Sequence, residues 1–208
     1  MINIDTLLAW GAVYKKLDAG EFIFREGTAC NFYYQLVEGS VKWFNVTEDG
    51  KEFLQQIIEP GECFGELPLF DDEPYAANAM ANKEALVLRL SRHTFHQLLI
   101  ENPPIHFAFS NLLAQRVRFK FYLLKELAYS DPEQKITSLL QYLDEHQKNI
   151  CPKCHQLKLT RQQIADMTGL RVETVIRAMR NLHDKGVVNI RGGKVFLGNM
   201  REIIAELD

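Results

Sequence analysis

Two cysteines in the run Cys151-Pro152-Lys153-Cys154-His155 are spaced for metal or redox chemistry. The pattern C-x-x-C-H fits attachment of a c-type haem, half of a zinc site with His155 or His146 as a further ligand, or a redox-active dithiol. Haem attachment of this kind takes place outside the cytoplasm, and the sequence has no second C-x-x-C to complete a zinc ribbon. Two free thiols in a loop are the fourth interpretation. Cys151, Cys154 and His155 are therefore candidate zinc ligands, with the redox and free-thiol alternatives open.

A second group of residues is spaced for binding rather than for catalysis. The run TRQQIADMTGLRVETVIRAMRNL begins at Thr160, and counted from its second residue Ala165 is fifth, Gly169 ninth and Val175 fifteenth. In a helix-turn-helix these positions hold a small residue where the helices cross, a glycine in the turn and a β-branched residue that locks the second helix onto the first. Thr160 can cap the first helix, with Gln163 as its capping-box partner.

The second helix of this motif, from about Val172 to His183, presents two side chains suited to reading DNA bases. Glu173 and Arg177 lie four residues apart, so they share one face near the start of the helix, which is the end that enters the major groove. Arginine can bond guanine bidentately, and glutamate can accept a hydrogen bond from the amino group of cytosine. The alternative is a salt bridge between the two side chains on a solvent-exposed face.

The segments that follow this helix predict a β-hairpin. Residues 187–190 and 194–197 alternate in polarity and are joined through Gly192-Gly193, and a hairpin after a helix-turn-helix is a wing. Arg191 and Lys194 flank its tip, where a phosphate could be reached. The expected partner is double-stranded DNA, contacted by Thr160, Arg161, Gln162, Arg171, Glu173, Thr174, Arg177 and Lys194.

The distribution of charge agrees with this location. Residues 1–150 carry 14 Lys and Arg against 21 Asp and Glu, whereas residues 151–208 carry 10 against 6, which together give the totals of 24 and 27. The net charge of -3 is thus the sum of an acidic N-terminal part and a basic C-terminal quarter. Such a basic patch is typical of a nucleic-acid-binding module, because neutralising phosphates supplies most of the sequence-independent affinity.

The composition excludes a membrane protein and favours two domains. With 208 residues, 47% hydrophobic and 25% charged, the chain can form one large or two smaller cores. No window has the apolar length of a membrane span, and the segment after Met1 lacks the basic region and cleavage site of a leader. We therefore expect a cytoplasmic protein without a membrane partner, and a reducing compartment argues against structural disulfides.

The region from residue 20 to 90 has the pattern of a β-structure. Short aromatic and β-branched runs alternate with glycines, and Asp49-Gly50 is a strong hairpin signal. Evenly spaced strands of this kind suggest a roll closed on itself around a modest pocket. The predicted strands are Phe22–Phe24, Phe32–Val37, Val41–Val46, Phe53–Ile58 and Leu86–Leu90.

A long helix should follow the stop at Asn102-Pro103-Pro104 and run from about Ile105 to Ala128. One apolar seam on it contains Arg116, and a second stripe lies on another side, formed by Leu113, Val117, Phe121 and Leu124. One side can pack on the roll while the other pairs with the same helix of a second subunit. We favour this homodimer over a wholly buried core helix, because burying the charged side chain of Arg116 in a core closed to solvent is energetically costly.

These elements together predict an α+β fold. It consists of an N-terminal β-roll sensor of the double-stranded, jelly-roll-like kind, a long dimerisation helix and a C-terminal winged helix-turn-helix. Asp131-Pro132 marks the break before the last part. The predicted domains are residues 1–103 for the sensor, 104–130 for the dimerisation helix and 131–208 for the DNA-binding domain.

Nearly the whole chain resembles the CRP/FNR family of transcription regulators. GECFGELPLF at residues 61–70 is similar to the family's phosphate-binding segment, and LTRQQIADMTGLRVETVIR at residues 159–177 is similar to its helix-turn-helix. The order of roll, long helix and winged helix is also that of the family. The resemblance implies a dimeric DNA-binding regulator with RNA polymerase as a further partner.

The same resemblance shows where the sensor departs from members that bind cyclic AMP. Their Arg-Ser pair, which clamps the cyclic phosphate, aligns with Tyr75 and Ala76, and their Thr-Ser pair at the adenine aligns with Lys120 and Phe121. Loss of the guanidinium and the hydroxyl removes charge-assisted hydrogen bonds, so cyclic AMP is not expected. An effector pocket is expected at Gly65, Glu66, Leu67, Tyr75, Ala76, Arg116 and Lys120, with Gly65, Glu66 and Arg116 matching the family pattern.

Two further features bear on the class of regulator. FNR-type oxygen sensors hold an iron-sulfur cluster on N-terminal cysteines, and this chain has no cysteine before Cys30, so that cluster is not expected. Val172-Glu173 followed by Arg177 resembles the FNR-type recognition helix, with Ile176 in place of its usual serine. This similarity suggests an inverted repeat with TTG-like half-sites.

Other functional classes fit the sequence less well. A cupin-type enzyme is also a β-roll, but its metal needs clustered histidines, and residues 20–90 contain none. A cyclic-nucleotide-regulated enzyme or channel would share only the sensor and not the winged helix. We therefore do not expect an enzyme. A ligand-gated regulator, a regulator without ligand control, and a redox- or metal-responsive one using Cys151 and Cys154 remain open.

Overall fold

The computed structural model describes residues 1–127 and 131–198, without the side chains of residues 126 and 127. The chain divides into two compact units, Met1–Arg116 and Val117–Asp208, and the point of division in the sequence falls within the long helix. The domain limits expected after residues 103 and 130 stay predictions. Residues 128–130, where the long helix was expected to end, and residues 199–208 of the expected DNA-binding domain lie outside the described residues.

The architecture is the α+β arrangement that the sequence predicts. Ten strands and seven helices follow one another in the described residues. In chain order they are α1 (Ile4–Ala9), β1 (Val13–Leu17), β2 (Phe22–Phe24), β3 (Phe32–Glu38), β4 (Val41–Val46), β5 (Glu52–Ile58), β6 (Cys63–Phe64), α2 (Pro68–Asp71), β7 (Asn78–Ala81), β8 (Ala85–Ser91), α3 (Arg92–Glu101), α4 (Pro103–Leu127), α5 (Pro132–Glu145), α6 (Arg161–Thr168), α7 (Val172–Asp184), β9 (Val188–Arg191) and β10 (Lys194–Leu197).

Two four-stranded antiparallel sheets form the roll of the first unit. One has the strand order β1-β8-β3-β6 and the other β2-β7-β4-β5. The hairpin from β4 to β5 turns at Asp49-Gly50, where the Thr47 N–H donates to the carbonyl oxygen of Lys51 at 2.9 Å. Tyr33, Phe64 and Leu88 are at most 1% exposed, so the aromatic and branched residues of the strands fill the interior.

Helix α4 buries different faces along its length. In the first unit Phe109 is fully buried, and its ring centroid lies 5.3 Å from that of Phe95 on α3. In the second unit Phe119 stacks on Tyr142 of α5, with 4.3 Å between the ring centroids. Three residues of the predicted second stripe are exposed in the single chain, at 53% for Val117, 68% for Phe121 and 63% for Leu124, whereas Leu113 is half-buried. Within one chain, therefore, α4 is not a wholly buried core helix.

The second unit is a small helical domain with a terminal hairpin. Helix α5 packs on α7, α7 packs on α6, and β9 pairs with β10 in an antiparallel hairpin. Its core consists of inward-facing apolar side chains of these elements, among them Ile136, Leu140, Ile164, Val175 and Leu182. In the part of the chain that the structure describes, no helix combines the length and apolarity needed to cross a membrane.

Candidate nucleic-acid interface and sensor pocket

The first helix of the predicted motif begins with a complete capping box. Thr160 is the N-cap of α6, and its hydroxyl accepts a hydrogen bond from the N–H of Gln163 at 3.1 Å. The Gln163 side chain in turn accepts from the Thr160 N–H at 2.9 Å. Two N–H groups that a helix start leaves without partners are thereby satisfied. The position of α6 in the sequence is thus fixed by its own local residues.

The turn between α6 and α7 has the geometry that its glycine requires. Gly169 ends α6 with φ of 68°, a left-handed conformation that costs a residue without a Cβ little. Ala165 and Val175 are 2% and 0% exposed, as expected for the contact between the two helices. The helix-turn-helix predicted from these spacings is therefore present in the structure.

Helix α7 separates an apolar face from a charged face. Val175, Ala178, Met179 and Leu182 are buried, whereas Glu173, Ile176, Arg177 and Arg180 are exposed. The structure contains no ion pair between the carboxylate of Glu173 and the guanidinium of Arg177, both of which lie in its described part. The salt-bridge alternative is therefore not realised, and both charged groups are directed to solvent. Arg180, one turn further along, is an exposed cation that the spacing of the helix-turn-helix does not single out.

The wing is connected to the helix-turn-helix through one of the predicted DNA contacts. The Arg161 guanidinium donates a hydrogen bond to the carbonyl oxygen of Gly193 at 2.8 Å, and burial lowers the pKa of Arg161. Gln162 is also engaged, donating to Asp166 at 2.8 Å. Arg171 and Lys194 are exposed. The predicted phosphate contacts thus divide into side chains that carry an internal bond and side chains that face solvent.

The second predicted site, in the roll, contains a buried ion pair. Glu66 is 0% exposed, and the Arg116 guanidinium pairs with it and donates to the carbonyl oxygen of Cys63 at 2.7 Å. Burial is the largest single influence and would lower the pKa of Arg116, but the charge and hydrogen bond of Glu66 together with Cys63 and Glu62 raise it overall. The guanidinium also lies 5.2 Å from the centroid of the Trp43 ring. Glu66 and Arg116, which match the family pattern, therefore form an ion pair within the first unit.

Two buried polar atoms near this pair have no hydrogen-bond partner in the described structure. They are the second carboxylate oxygen of Glu66 and the indole nitrogen of Trp43. Buried polar groups are normally hydrogen-bonded. The Glu66 oxygen, which can accept a hydrogen bond, and the Trp43 N–H, which can donate one, are therefore suited to binding a polar ligand. Arg116 contacts both residues, since it pairs with Glu66 and lies over the Trp43 ring.

Tyr75, which aligns with the arginine of the phosphate clamp, is turned into the core. It is 4% exposed, and its ring stacks on Phe24 with 3.7 Å between centroids and 5° between planes. Burial, followed by a hydrogen bond with Cys30, raises the pKa of Tyr75. A Cβ at Gly65 would lie 2.4 Å from the Phe24 ring, so this packing needs glycine there. The position thus holds an apolar stack instead of a cation.

The other predicted pocket residues differ in burial and in the unit to which they belong. Leu67 is half-buried next to Glu66, and Ala76 is exposed with its carbonyl oxygen accepting a hydrogen bond from Asn45 at 2.8 Å. Lys120 belongs to the second unit, where its ammonium lies 5.9 Å from the Phe119 ring centroid.

A cavity on the roll shares only Tyr75 with the residues expected to form the effector pocket. Its volume is about 360 Å³, at the small end of ligand pockets. Aromatic rings and one cation line it, including Phe22, Phe24, Arg25, Phe32, Tyr34 and Tyr75. The guanidinium of Arg25 stacks over Phe22 at 3.7 Å from the ring centroid. Nine of its ten lining residues come from residues 22–34, which comprise β2, the start of β3 and the segment between them, and Tyr75 is the tenth.

The cysteine pair lies in a tight turn before α6. Cys151 is half-buried and Cys154 exposed, and the His155 N–H donates to the carbonyl oxygen of Cys151 at 2.9 Å. The pKa of Cys151 is lowered, first by a hydrogen bond from the Cys154 thiol and then by the N–H groups of Lys153 and Cys154. Within the described residues, no three His, Cys, Asp or Glu side chains are grouped to hold a metal ion. The zinc site thus remains a prediction.

Fold and surface together define the class of protein. A helix-turn-helix of this kind, here preceded by a β-roll, is an architecture of DNA-binding regulators. The family profile "Cyclic nucleotide-binding domain" matches residues 14–102, and "Crp-like helix-turn-helix domain" matches residues 134–204. The two profiles cover the roll and the winged helix separately.

Similar proteins point to the same family. The cAMP-activated global transcriptional regulator CRP of Pasteurella multocida is 28% identical over 204 residues, covering 96% of this chain and 98% of the relative. Among solved structures, FixK2 from Bradyrhizobium japonicum has a TM-score of 0.79 at 21% identity, covering 93% of this chain and 96% of FixK2. The c-di-GMP responsive regulator CLP of Xanthomonas campestris has a TM-score of 0.73 at 22% identity, covering 93% and 98%. The chain belongs to the CRP/FNR family of transcription regulators.

Proposed function

We propose that this DNA-binding regulator acts as a homodimer that reads an inverted-repeat operator through α7. The observation that carries the proposal is the exposed pair Glu173 and Arg177, which lie on one face at the start of α7 and form no ion pair with each other in the described structure. Groups that are neither buried nor mutually neutralised are available to base edges. Thr174 lies between them, half-buried on the same turn.

The remaining contacts are proposed to hold the DNA backbone. Arg171 at the N-cap of α7 and Lys194 at the wing are exposed cations suited to phosphates. Thr160 and Gln162 start α6, where helix N–H groups also favour phosphate. Arg161 is proposed to act partly through the wing, since its guanidinium already bonds Gly193.

Dimerisation is proposed through residues 105–128. Val117, Phe121 and Leu124 form a row of large apolar side chains, each more than half exposed in the single chain. A contiguous apolar patch of this kind marks an interface, and a second copy of the same helix is the occupant that a two-fold symmetric operator requires. Two α7 helices would then lie about 34 Å apart, one turn of B-DNA.

The half-sites are proposed to have a TTG-like core, from the resemblance of Val172-Glu173 and Arg177 to the FNR-type helix. RNA polymerase is proposed as a further partner on family grounds. Selection of bound duplexes from a random pool tests the operator. We expect an inverted repeat with half-site centres about one helical turn apart. Recovery of a single unrepeated site, or of no preferred sequence, would contradict the proposal.

The sensor is proposed to respond to an effector other than cyclic AMP, bound in the roll. Tyr75 stacks on Phe24 where a clamp would need a cation, and Ala76 offers no hydroxyl. A second candidate, a cyclic-nucleotide-responsive regulator, is favoured by the retained pair of Glu66 and Arg116. Calorimetry with cyclic AMP separates the two. We expect no binding at micromolar concentration, and micromolar or tighter binding would favour the second candidate.

A further inference from the structure

The turn that contains Cys151 and Cys154 has no role in the DNA contacts or in the effector site proposed above. We propose that these two thiols form a reversible intramolecular disulfide on reaction with a hydroperoxide, and that the disulfide weakens DNA binding by changing the loop that supports the wing. The second half of this inference rests on the proposed function, whereas formation of the disulfide does not.

The backbone brings the two cysteines within bonding range. The Cys151 N–H donates to the carbonyl oxygen of Gln156 at 2.8 Å, and the His155 N–H donates to the carbonyl oxygen of Cys151 at 2.9 Å, so the chain reverses between them. The bond from His155 to Cys151 closes a five-residue turn, and the Cys154 thiol forms a hydrogen bond with the sulfur of Cys151. The two sulfurs are therefore neighbours, and a disulfide between them needs little movement of the chain.

The surroundings of the pair favour a selective reaction. The Cys154 thiol and the N–H groups of Lys153 and Cys154 donate toward the sulfur of Cys151, an arrangement that stabilises a thiolate. Cys154 is exposed, whereas Cys30 and Cys63 in the roll are only 4% and 0% exposed. An oxidant in solution therefore reaches the turn and not the other two cysteines.

The reaction is balanced with one hydroperoxide as the oxidant. The Cys151 thiolate attacks the peroxide oxygen, the O–O bond breaks, and a sulfenic acid forms with release of an alcohol or water. The Cys154 sulfur then attacks the Cys151 sulfur, the S–O bond breaks, and water leaves with the thiol proton. Both sulfurs together lose two electrons, which reduce the peroxide. A dithiol reductant reverses the reaction by thiol-disulfide exchange.

The turn is joined by hydrogen bonds to the wing. The carbonyl oxygen of His155 accepts from the Leu197 N–H at 3.0 Å, and the Leu157 N–H donates to the carbonyl oxygen of Val195 at 2.9 Å. Gln156 forms a β-bridge with Phe196. The segment after Cys154 is thus joined by one β-bridge and two hydrogen bonds to β10, which begins at Lys194. A disulfide replaces the hydrogen bond between the two thiols with a covalent bond that fixes the Cβ atoms about 3.5–4.5 Å apart, so its formation stiffens the turn to which the wing is hydrogen-bonded.

Metal binding by the same thiols is the competing chemistry. Two thiolates leave a tetrahedral zinc ion two ligands short, and the part of the chain described by the structure groups no third His, Cys, Asp or Glu with them. The geometry therefore points to a dithiol. A zinc ion with ligands from a second copy would be an outcome of the test.

The test uses full-length protein, treated with hydrogen peroxide or with a dithiol reductant. Mass spectrometry of the peptide containing Cys151 and Cys154 should show the loss of two hydrogen atoms after peroxide, reversed by reductant, with Cys30 and Cys63 still alkylatable after unfolding. The operator dissociation constant should rise about five-fold or more on oxidation. The Cys151→Ser/Cys154→Ser variant, which keeps the other two cysteines, should bind the operator like reduced wild type with or without peroxide.

Each other result overturns a defined part of the inference. Free thiols at both positions after peroxide, or a full equivalent of zinc retained in chelator, would exclude the disulfide. A disulfide without a change in operator affinity, or an equal loss in the double serine variant, would exclude its coupling to the wing. Failure of the reduced protein to select any DNA would instead contradict the proposed function, which the mass measurement does not depend on.

Discussion

Arg161, the first residue of α6, donates a hydrogen bond from its guanidinium to the carbonyl oxygen of Gly193, 32 residues away at the tip of the wing. This bond joins the two elements that are proposed to hold DNA on either side of α7. Lys194, the next residue in the wing, has an exposed side chain and is proposed to contact phosphate directly.

Replacement of Arg161 with Ala should therefore have two effects. Operator and scrambled duplexes should both be bound more weakly, and the free energy of unfolding should fall by about 0.5–1.5 kcal/mol because an internal hydrogen bond is lost. Lys194→Ala is the matched control, expected to weaken DNA binding without changing stability. Chemical denaturation together with fluorescence anisotropy measures both quantities. Equal stability of the two variants would show that the bond to Gly193 contributes nothing.

Replacement of Tyr75 with Ala should destabilise the roll. The ring is 4% exposed and stacked on Phe24, so its removal leaves a cavity, with an expected cost of about 3 kcal/mol. Tyr75→Phe keeps the ring and loses only the hydroxyl, and should cost about 1 kcal/mol or less. Urea denaturation monitored by circular dichroism tests both variants. Similar losses for Ala and Phe would show that the hydroxyl, and not the stack, stabilises this position.

A negative charge introduced into the exposed apolar stripe of α4 should dissociate the proposed dimer. Phe121 is 68% exposed in one chain, and Phe121→Glu would place an unpaired carboxylate in the proposed interface. The dimer dissociation constant should rise about 100-fold or more, as expected for a penalty of about 3 kcal/mol. Arg118→Glu, also exposed on α4, is the control and should remain dimeric. Sedimentation velocity at micromolar concentration gives the answer, and a wild-type monomer would contradict the proposed dimer.

Alkylation of Cys151 should depend on pH in a defined direction. Its pKa is lowered, so the thiolate and hence the alkylation rate should reach half their maximum at a lower pH than for an ordinary exposed cysteine. Cys154→Ala removes the largest cause, and the midpoint should move upward. Lys158→Gln removes only the smallest cause and should leave the midpoint nearly unchanged. Rates of iodoacetamide labelling from pH 6 to 10 measure this, and an unmoved midpoint in Cys154→Ala would refute the thiol interaction.

The features predicted well from the sequence are those that local residues determine. The helix-turn-helix follows from Gly169 in its turn, the capping box of Thr160 and the apolar spacing of α7, all within 23 consecutive residues from Thr160 to Leu182. The hairpin at Asp49-Gly50 is local in the same sense. A segment of this kind has its own conformational preference, so its structure can be predicted from its own residues without the rest of the chain.

The features that were missed depend on distant pairing. Strand β7 reads Asn-Ala-Met-Ala and contains no β-branched residue, yet it is a strand because β2 and β4 flank it in the sheet. The bond from Arg161 to Gly193 and the bridge from Gln156 to Phe196 likewise join residues 32 and 40 positions apart. At Tyr75 the alignment predicted the missing guanidinium, but its stacking on Phe24 becomes apparent only once β2 lies beside it.

The most direct test of base reading by α7 is the binding of Arg177→Ala to the selected operator and to a scrambled duplex at several salt concentrations. Arg177 is exposed at the start of α7 and forms no ion pair with Glu173 in the described structure. If it reads a base, its loss should cost about 1–3 kcal/mol on the operator, relax preference at one symmetric base pair and leave the scrambled duplex nearly unaffected. Lys194→Ala should instead weaken both duplexes and reduce the salt slope by about one for each subunit. An equal loss on both duplexes for Arg177→Ala, varying with salt, would make Arg177 a phosphate contact and contradict the proposed reading of DNA by α7.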